Sequence, residues 1–210
     1  MPPPSPDVVH DASIADHAPS PSVAGAARPR VLECKDVERR FGGLVALTGV
    51  DLHINQGEIF GLVGPNGSGK TTMTNAITGF YPPQKGQILL NGREITGMAP
   101  HAVARQGVAR TFQNLALFNG MTVLDNILLG RHVHMRPSVM RTMLYPWLSR
   151  DEEIEHRRVV EDIIDFMQLQ GVRDELVDAI PIGLKKRVEL ARALVAEPSF
   201  LILDEPMAGM

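Results

Sequence analysis

The sequence predicts an α/β fold with a partly parallel sheet, and three observations carry this prediction. Glu58–Val63 and Phe200–Leu203 are short, largely apolar runs of the kind that form buried parallel strands. A glycine-rich segment, Gly64–Gly69, follows the first run, and a helical pattern over Lys70–Thr78 follows the glycines. Apolar strands that alternate with helices are typical of α/β proteins.

The composition is that of a globular chain with a substantial core. It has 210 residues, of which 44% are hydrophobic, and a formal net charge of -3. A weakly acidic chain gives no electrostatic reason to expect a nucleic-acid partner. The single cysteine, Cys34, excludes an internal disulfide and is expected in the core. No apolar run approaches the roughly 18 residues that would span a bilayer.

Ordered structure is expected to begin near Val31. Met1–Arg30 is rich in Pro, Ala and Ser and lacks aromatic residues, so it is predicted to be a flexible tail. Leu44–Ile54 is rich in Val, Leu and Ile and partly alternates, which favours a strand. Gln56 and Gly57 then predict a turn before the first apolar run.

Strand and helix patterns continue along the rest of the chain. Gln87–Leu90 is predicted to be a strand, and the Asn-Gly pair after it indicates a tight turn. Three segments have apolar residues at helical spacing, and the first begins with a capping threonine. These predicted helices are Thr122–Leu129, Asp151–Leu169 and Lys185–Ala196.

The segment Gly64–Thr71 predicts a nucleotide site, because it matches the pattern G-x-x-x-x-G-K-[ST] between a strand and a helix. Glycines let backbone N–H groups converge on phosphate oxygens, and the helix start adds the positive end of a dipole. Lys70 supplies an ammonium for the β and γ phosphates. The Thr71 hydroxyl is suited to Mg²⁺.

Two carboxylates, Asp204 and Glu205, follow the apolar run at Phe200. In open α/β sheets ligands bind at the carboxyl ends of the strands. Asp204 is therefore a candidate for holding Mg²⁺ through water, and Glu205 for polarising a water that attacks the γ-phosphate.

These motifs give the chain a specific resemblance. Over about Val31–Met210 it resembles the ATPase subunit of an ABC transporter, on the strength of GPNGSGKTT, the glutamine of Arg110–Gln113 and LILDEP. The stretch Val108–Gly130 resembles more narrowly the ATPases of branched-chain, or hydrophobic, amino-acid importers. The resemblance implies a P-loop NTPase with an antiparallel β subdomain, a RecA-like parallel core and a helical subdomain at about 114–180.

The resemblance also implies roles for individual residues. Phe41 matches the aromatic residue that stacks on adenine, although a core phenylalanine is an equal alternative. Gln113 matches the residue that contacts Mg²⁺ and water and links the site to the membrane partner. Asp204 and Glu205 match the residues that hold Mg²⁺ and act as general base. The phosphate-binding residues correspond to Gly64, Asn66, Gly67, Ser68, Gly69, Lys70, Thr71 and Thr72.

The family signature, usually Leu-Ser-Gly-Gly-Gln, is altered where it aligns with Ile180–Leu184. Gly183 is kept, but the serine is replaced by Pro181 and the next glycine by Ile182. This motif normally grips the γ-phosphate bound to the opposite subunit. Losing one oriented donor is expected to lower the rate roughly 10²–10³-fold.

The sequence stops at Met210, before the further strand and γ-phosphate histidine that the family pattern includes. We therefore expect a truncated chain with an incomplete core, poor solubility and weak or absent hydrolysis.

The resemblance implies ATP and Mg²⁺ as ligands and several partners. These are transmembrane permease subunits, a second ATPase subunit closing head to tail over two ATP molecules and, indirectly, a solute-binding protein. The expected location is the cytoplasmic face of the inner membrane, as a peripheral subunit.

Two alternatives to a transport ATPase remain. The altered signature and the missing histidine favour a module that binds ATP without turning it over. A soluble ATPase of the same type acting on DNA or ribosomes would require a coiled-coil insertion or a second tandem ATPase, and neither is present. A GTPase is disfavoured because no Asn-Lys-x-Asp motif occurs.

Overall fold

A computed structural model of the chain describes residues 28–111, 116–133 and 146–204, with side chains of the last range described from residue 155. The predicted tail therefore lies, apart from its last three residues, outside the described part.

A four-stranded antiparallel sheet forms the first half of the fold. Its strands are β1 (Arg30–Phe41), β2 (Leu44–Asn55), β3 (Lys85–Leu90) and β4 (Arg93–Glu94), in the order β2-β1-β3-β4. Asn91 and Gly92, with φ of 49° and 74°, form the tight turn between β3 and β4. Positive φ at both positions is what a type I′ hairpin requires.

A second, parallel pair of strands lies beyond the antiparallel sheet. β5 (Val108–Arg110) and β6 (Phe200–Ile202) pair over three residues each. The described part of this half also has two short helices, α1 (Lys70–Ile77) and α2 (Pro100–Arg105). The buried residues of these elements form the first core, which includes the fully buried Leu32, Val37 and Ile88.

Three helices of the described residues form the second half. They are α3 (Val123–Leu129), α4 (Pro146–Phe166) and α5 (Ile182–Leu194), joined by short 3₁₀ turns at Gly130–Val133, Gln170–Val172 and Val177–Ala179. Their apolar faces meet in a second core of fully buried residues, which include Val123, Ile127, Val160, Ile164 and Val188.

These three helices confirm the three predicted helical segments, although the helix ends are shifted. Thr122 caps α3, its side-chain oxygen accepting the Asp125 N–H at 3.1 Å. Helix α4 ends before the predicted Leu169 because Gln168 adopts a left-handed conformation at φ 56°, and the Leu169 N–H then bonds back to the Ile164 carbonyl. That geometry is a common way for helices to end.

One predicted strand is wrong. Glu58–Val63 forms no strand, and its apolar side chains are exposed, fully at Ile59 and to 92% at Val63. A strand exists only where a neighbour accepts and donates its backbone hydrogen bonds. Among the described residues β6 pairs with β5, and no strand pairs with this run.

Cys34 is buried in β1, as expected for a core residue. Burial raises the pKa of its thiol to about 12. Within the described ranges, no helix combines the length and the apolar character needed to cross a membrane.

Candidate functional site

The glycine-rich loop leads directly into α1, as predicted. Gly67 and Gly69 have φ of 84° and 92°, in the left-handed region that glycine tolerates best. A Cβ on Gly69 would lie 2.6 Å from the Ala46 carbonyl oxygen. The backbone of the loop is therefore packed against β2 in a way that only glycine allows.

Lys70 folds back over this loop. Its Nζ donates hydrogen bonds to the Gly64 carbonyl at 2.6 Å and to the Pro65 carbonyl at 2.7 Å. The start of α1 has neither a side-chain cap nor an acidic residue in its first turn. The N–H groups of its first turn, which have no partner within the helix, and its dipole therefore present positive potential at the loop. Thr71, in the same turn, is exposed.

Asp204 lies just after β6 and is fixed by two residues at the end of β5. The Arg110 Nη2 donates to Asp204 Oδ2 at 2.8 Å, and the Asp204 N–H donates to Thr111 Oγ1 at 3.3 Å. The other end of the guanidinium, Nη1, donates to Asn75 Oδ1 on α1 at 2.6 Å. Arg110 thereby joins the phosphate-loop helix to the predicted magnesium residue.

Phe41 lies at the end of β1 in a small aromatic cluster. Its ring meets the Tyr81 ring edge to face at 5.3 Å between centroids, and the Arg39 guanidinium lies 4.8 Å from its centroid. Phe41 is 38% exposed, which does not fit the alternative of a core phenylalanine. The Tyr81 N–H donates to the Asn75 carbonyl, so this cluster is also tied to α1.

The altered signature lies at the start of α5. Pro181 is the N-cap residue and makes no side-chain capping bond, and no acidic residue occupies the first turn. Pro181, Ile182 and Gly183 are exposed. This helix start belongs to the second core, whereas the phosphate loop lies beside the first core.

Two predicted site residues, Gln113 and Glu205, lie outside the described residues. The flanking residues Thr111 and Asp204 are described, and they contact each other.

Comparison with protein families decides the class of this site. The family model described as "ABC transporter" matches residues 47–208, which include both the phosphate loop and Asp204. The chain belongs to the ABC transporter family.

Among curated proteins, the chain is similar to ATP-binding proteins of branched-chain amino acid transport. The chain is 38% identical over 184 residues to the high-affinity branched-chain amino acid transport ATP-binding protein BraF of Pseudomonas aeruginosa, covering 88% of this chain and 72% of that protein. It is 37% identical over 171 residues to the corresponding protein LivG of Salmonella typhimurium, covering 81% and 67%. The ABC transporter chain thus spans about seven-tenths of the length of these relatives.

Solved structures support the fold. A nucleotide-free ATP-binding cassette from an ABC transporter matches with a TM-score of 0.71 and 32% identity, over 86% of this chain and 71% of that one. The ADP conformation of an ATP-binding cassette matches with a TM-score of 0.72 and 33% identity, over 86% and 70%. The predicted α/β P-loop fold of the ABC ATPases is confirmed.

Sequence reasoning gave no role to Arg110 or Asn75 in this ABC transporter chain. Arg110 lies within a predicted motif and Asn75 within the predicted helix after the phosphate loop. Their contact spans 35 residues, and that of Arg110 with Asp204 spans 94. The sequence signal that could have indicated this role is that Arg110 is a basic residue at the end of β5, whose neighbour β6 is followed by carboxylates.

A cleft of about 570 Å³ lies between the two cores, next to this site. The first core contributes α2 and β5 to its walls, and the second core contributes α3 and α5. Phe80, Phe118 and Leu129 line it and are 48%, 55% and 38% exposed. Arg192, on α5, donates to the Ala116 carbonyl at 2.5 Å, and burial lowers the pKa of its guanidinium.

Proposed function

We propose that this chain is the ATP-binding and ATP-hydrolysing subunit of a transporter that imports branched-chain or related amino acids. One observation supports the ATP site most directly. The Arg110 guanidinium donates both to Asn75 Oδ1 on the phosphate-loop helix, at 2.6 Å, and to Asp204 Oδ2, at 2.8 Å. The names of BraF and LivG, which refer to branched-chain amino acid transport, support the choice of cargo.

Phosphate binding would rest on the loop. Backbone N–H groups of a glycine-rich loop and the start of α1 would favour the negative charge of a β or γ phosphate. The Lys70 ammonium already lies over the loop, so it could exchange its two carbonyl partners for phosphate oxygens. The proposed phosphate-binding residues are Gly64, Asn66, Gly67, Ser68, Gly69, Lys70, Thr71 and Thr72.

Magnesium fits the donors at this site. A threonine hydroxyl, a glutamine amide oxygen and a carboxylate are hard oxygen ligands of the kind that Mg²⁺ prefers. We assign these roles to Thr71, Gln113 and Asp204. Thr71 is exposed beside the loop, and the ion pair with Arg110 engages the Oδ2 atom of Asp204. When bound, Mg²⁺ would neutralise phosphate charge.

Glu205 and Gln113 are the proposed catalytic residues. A carboxylate directly after Asp204 could accept a proton from the attacking water, and the glutamine could orient that water. Phe41 would bind adenine by stacking, because its ring is partly exposed and ordered by Arg39 and Tyr81.

The proposed partners bind at separate surfaces. A second ATPase subunit would present its own Gly183 and α5 to the bound ATP. Permease subunits would dock on the apolar cleft, which borders both ends of the segment that holds Gln113. A solute-binding protein would act indirectly, and the subunit would sit peripherally at the cytoplasmic face of the membrane.

We also propose that the chain consists of a tail and one ATPase domain that includes a helical subdomain. Residues 31–210 would form a partial ABC ATPase domain, with a helical subdomain at about 114–180 and a flexible tail at 1–30. The separate second core of α3, α4 and α5 supports the helical subdomain.

A second candidate function is ATP binding with little or no turnover. The capless start of α5 favours it, since Pro181 offers no hydroxyl where the family signature has serine.

Binding of a fluorescent ATP analogue and release of phosphate, measured on the same preparation, test the proposal. We expect ATP to bind in the presence of Mg²⁺, and Glu205→Gln to retain binding while turnover falls roughly 10²–10⁴-fold. Deleting the gene is expected to lower cellular uptake of leucine, isoleucine and valine but not of lysine.

The outcomes separate the two candidates. Binding without phosphate release would support the second function. If Glu205→Gln hydrolyses ATP as fast as the unaltered chain, Glu205 is not the general base. If leucine uptake is unchanged after the gene is deleted, the proposed cargo is contradicted.

A further inference from the structure

Arg110 lies in the middle of the candidate site, although no predicted role required it. Its side chain is 8% exposed, and its two terminal nitrogens contact two different elements. Nη2 holds Asp204 and Nη1 holds Asn75. A buried guanidinium is costly to desolvate, and contacts to a carboxylate and an amide oxygen offset part of that cost.

The two contacts of Arg110 involve Asp204 and the helix that carries Thr71, and these are the two described residues proposed to bind magnesium. Asn75 lies four residues after Thr71 on α1, and residues at that spacing lie on the same helix face. Arg110 therefore holds the face of α1 that carries Thr71 and, at the same time, the carboxylate of Asp204. Both hydrogen bonds are charge-assisted because the donor is a guanidinium, and both are short, at 2.6 Å and 2.8 Å.

The backbone beyond β5 reinforces this arrangement. The Thr111 N–H donates to the Ile202 carbonyl at 3.0 Å, and Thr111 Oγ1 accepts the Asp204 N–H. The end of β5 thus fixes the main chain of Asp204, and Arg110 fixes its side chain. Within the part of the chain that the structure describes, Arg110 engages the carboxylate.

We propose that Arg110 is a positioning residue of the ATP site, which orients Asp204 and α1 so that Mg²⁺ can bind between them. The inference rests on the proposed function and adds a residue to it. Partners that orient metal ligands commonly contribute roughly 10–100-fold to metal affinity. A guanidinium is suited to this role because its planar fork reaches two acceptors at fixed angles.

The test is the magnesium dependence of ATP binding. Dissociation constants are measured with Mg²⁺ and with EDTA for the unaltered chain and for Arg110→Met and Arg110→Lys. We expect the gain in affinity from Mg²⁺ to fall roughly tenfold in Arg110→Met, and by less in Arg110→Lys, which keeps the charge but not the fork. Affinity in EDTA, which depends on the loop, should stay within about twofold.

A surface arginine provides the matched control. Arg93 donates to Gln106 at 2.8 Å in an exposed position of β4, so Arg93→Met should leave both constants unchanged. Asn75→Ala removes one of the two contacts of Arg110 and should lower the magnesium effect by about threefold. If Arg110→Met fails to fold, as judged by its thermal transition, Arg110→Lys and Asn75→Ala carry the test.

Two results would overturn the assignment while leaving the proposed function intact. The magnesium effect could be unchanged in folded Arg110 variants, which would make the residue merely structural. It could instead increase, which would mean that Arg110 competes with the metal for Asp204. Absence of ATP binding by the unaltered chain, with and without Mg²⁺, would overturn both the assignment and the proposed function.

Discussion

The starts of α1 and α5 are two helix ends that the ABC family resemblance assigns to phosphate. Neither has a side-chain cap or an acidic residue in its first turn. They differ in what precedes them. Before α1 stands a glycine with φ 92°, followed by the lysine that closes the loop, and before α5 stands Pro181 with an extended backbone at ψ 154°.

From this difference we expect a helix dipole alone to be insufficient for phosphate binding. At α1 the dipole is joined by a glycine-rich loop and by the Lys70 ammonium, which lies over that loop. At α5 the dipole and Gly183 remain, but the serine hydroxyl of the family signature is absent. We therefore expect substitutions at α1 to change binding strongly and substitutions at α5 to change it little.

The largest effect is expected for Lys70→Met. The change removes the ammonium proposed to bind phosphate and the bonds to the Gly64 and Pro65 carbonyls. Losing a charge-assisted contact of this kind should weaken ATP binding by about 100-fold, as measured by titration of a fluorescent analogue. Lys85→Met, at an exposed ion pair with Asp36 and Glu38, is the control. Equal affinities in the two variants would contradict the role of the loop.

A matched pair of glycines sharpens the comparison. Gly69→Ala would force a Cβ to within 2.6 Å of the Ala46 carbonyl at a positive φ, so we expect the free energy of unfolding to fall by roughly 1–3 kcal/mol. Gly183→Ala meets nothing within 4 Å and lies in the first turn of α5, so it should raise stability by up to about 0.5 kcal/mol. Urea denaturation measures both, and changes of the same sign would count against the described loop geometry.

The smallest effect is expected for Pro181→Ser. The extended backbone at this position suits an N-cap, so a serine hydroxyl could accept an N–H of the first turn. The lost rigidity of proline offsets part of the gain, which leaves about 0.5 kcal/mol of added stability in urea denaturation. Pro181→Ala is the control without a hydroxyl. A serine variant no more stable than the alanine variant would show that the cap does not form.

The sequence predicted the loop, α1 and β6 because their signals are local. Glu58–Val63 and β6 show the limit of such signals. Both are apolar runs before a site motif, yet β6 has β5 beside it and Glu58–Val63 has no pairing strand among the described residues. Strand β1 was missed because register shifts, and a positive φ at Asp36, interrupt the alternation by which strands are recognised.

The candidate site divides in the same way. Residues of the phosphate loop and Asp204 belong to short motifs that can be read directly. Arg110 and Asn75 acquire their importance only from contacts across the fold, and no pattern of a few residues encodes such contacts. Roles within motifs can therefore be predicted from this sequence, whereas the links between motifs require coordinates.

The order of strands in the antiparallel sheet has a consequence for folding. β2 and β3 flank β1, and the phosphate loop and α1 lie in the chain between β2 and β3. When both strands pair with β1, the chain between them, which contains the phosphate loop, is closed into a loop. A single loss of chain entropy on closure therefore accompanies formation of both the sheet and the site. A ligand that binds the ordered loop would, by mass action, stabilise the pairing on both sides of β1.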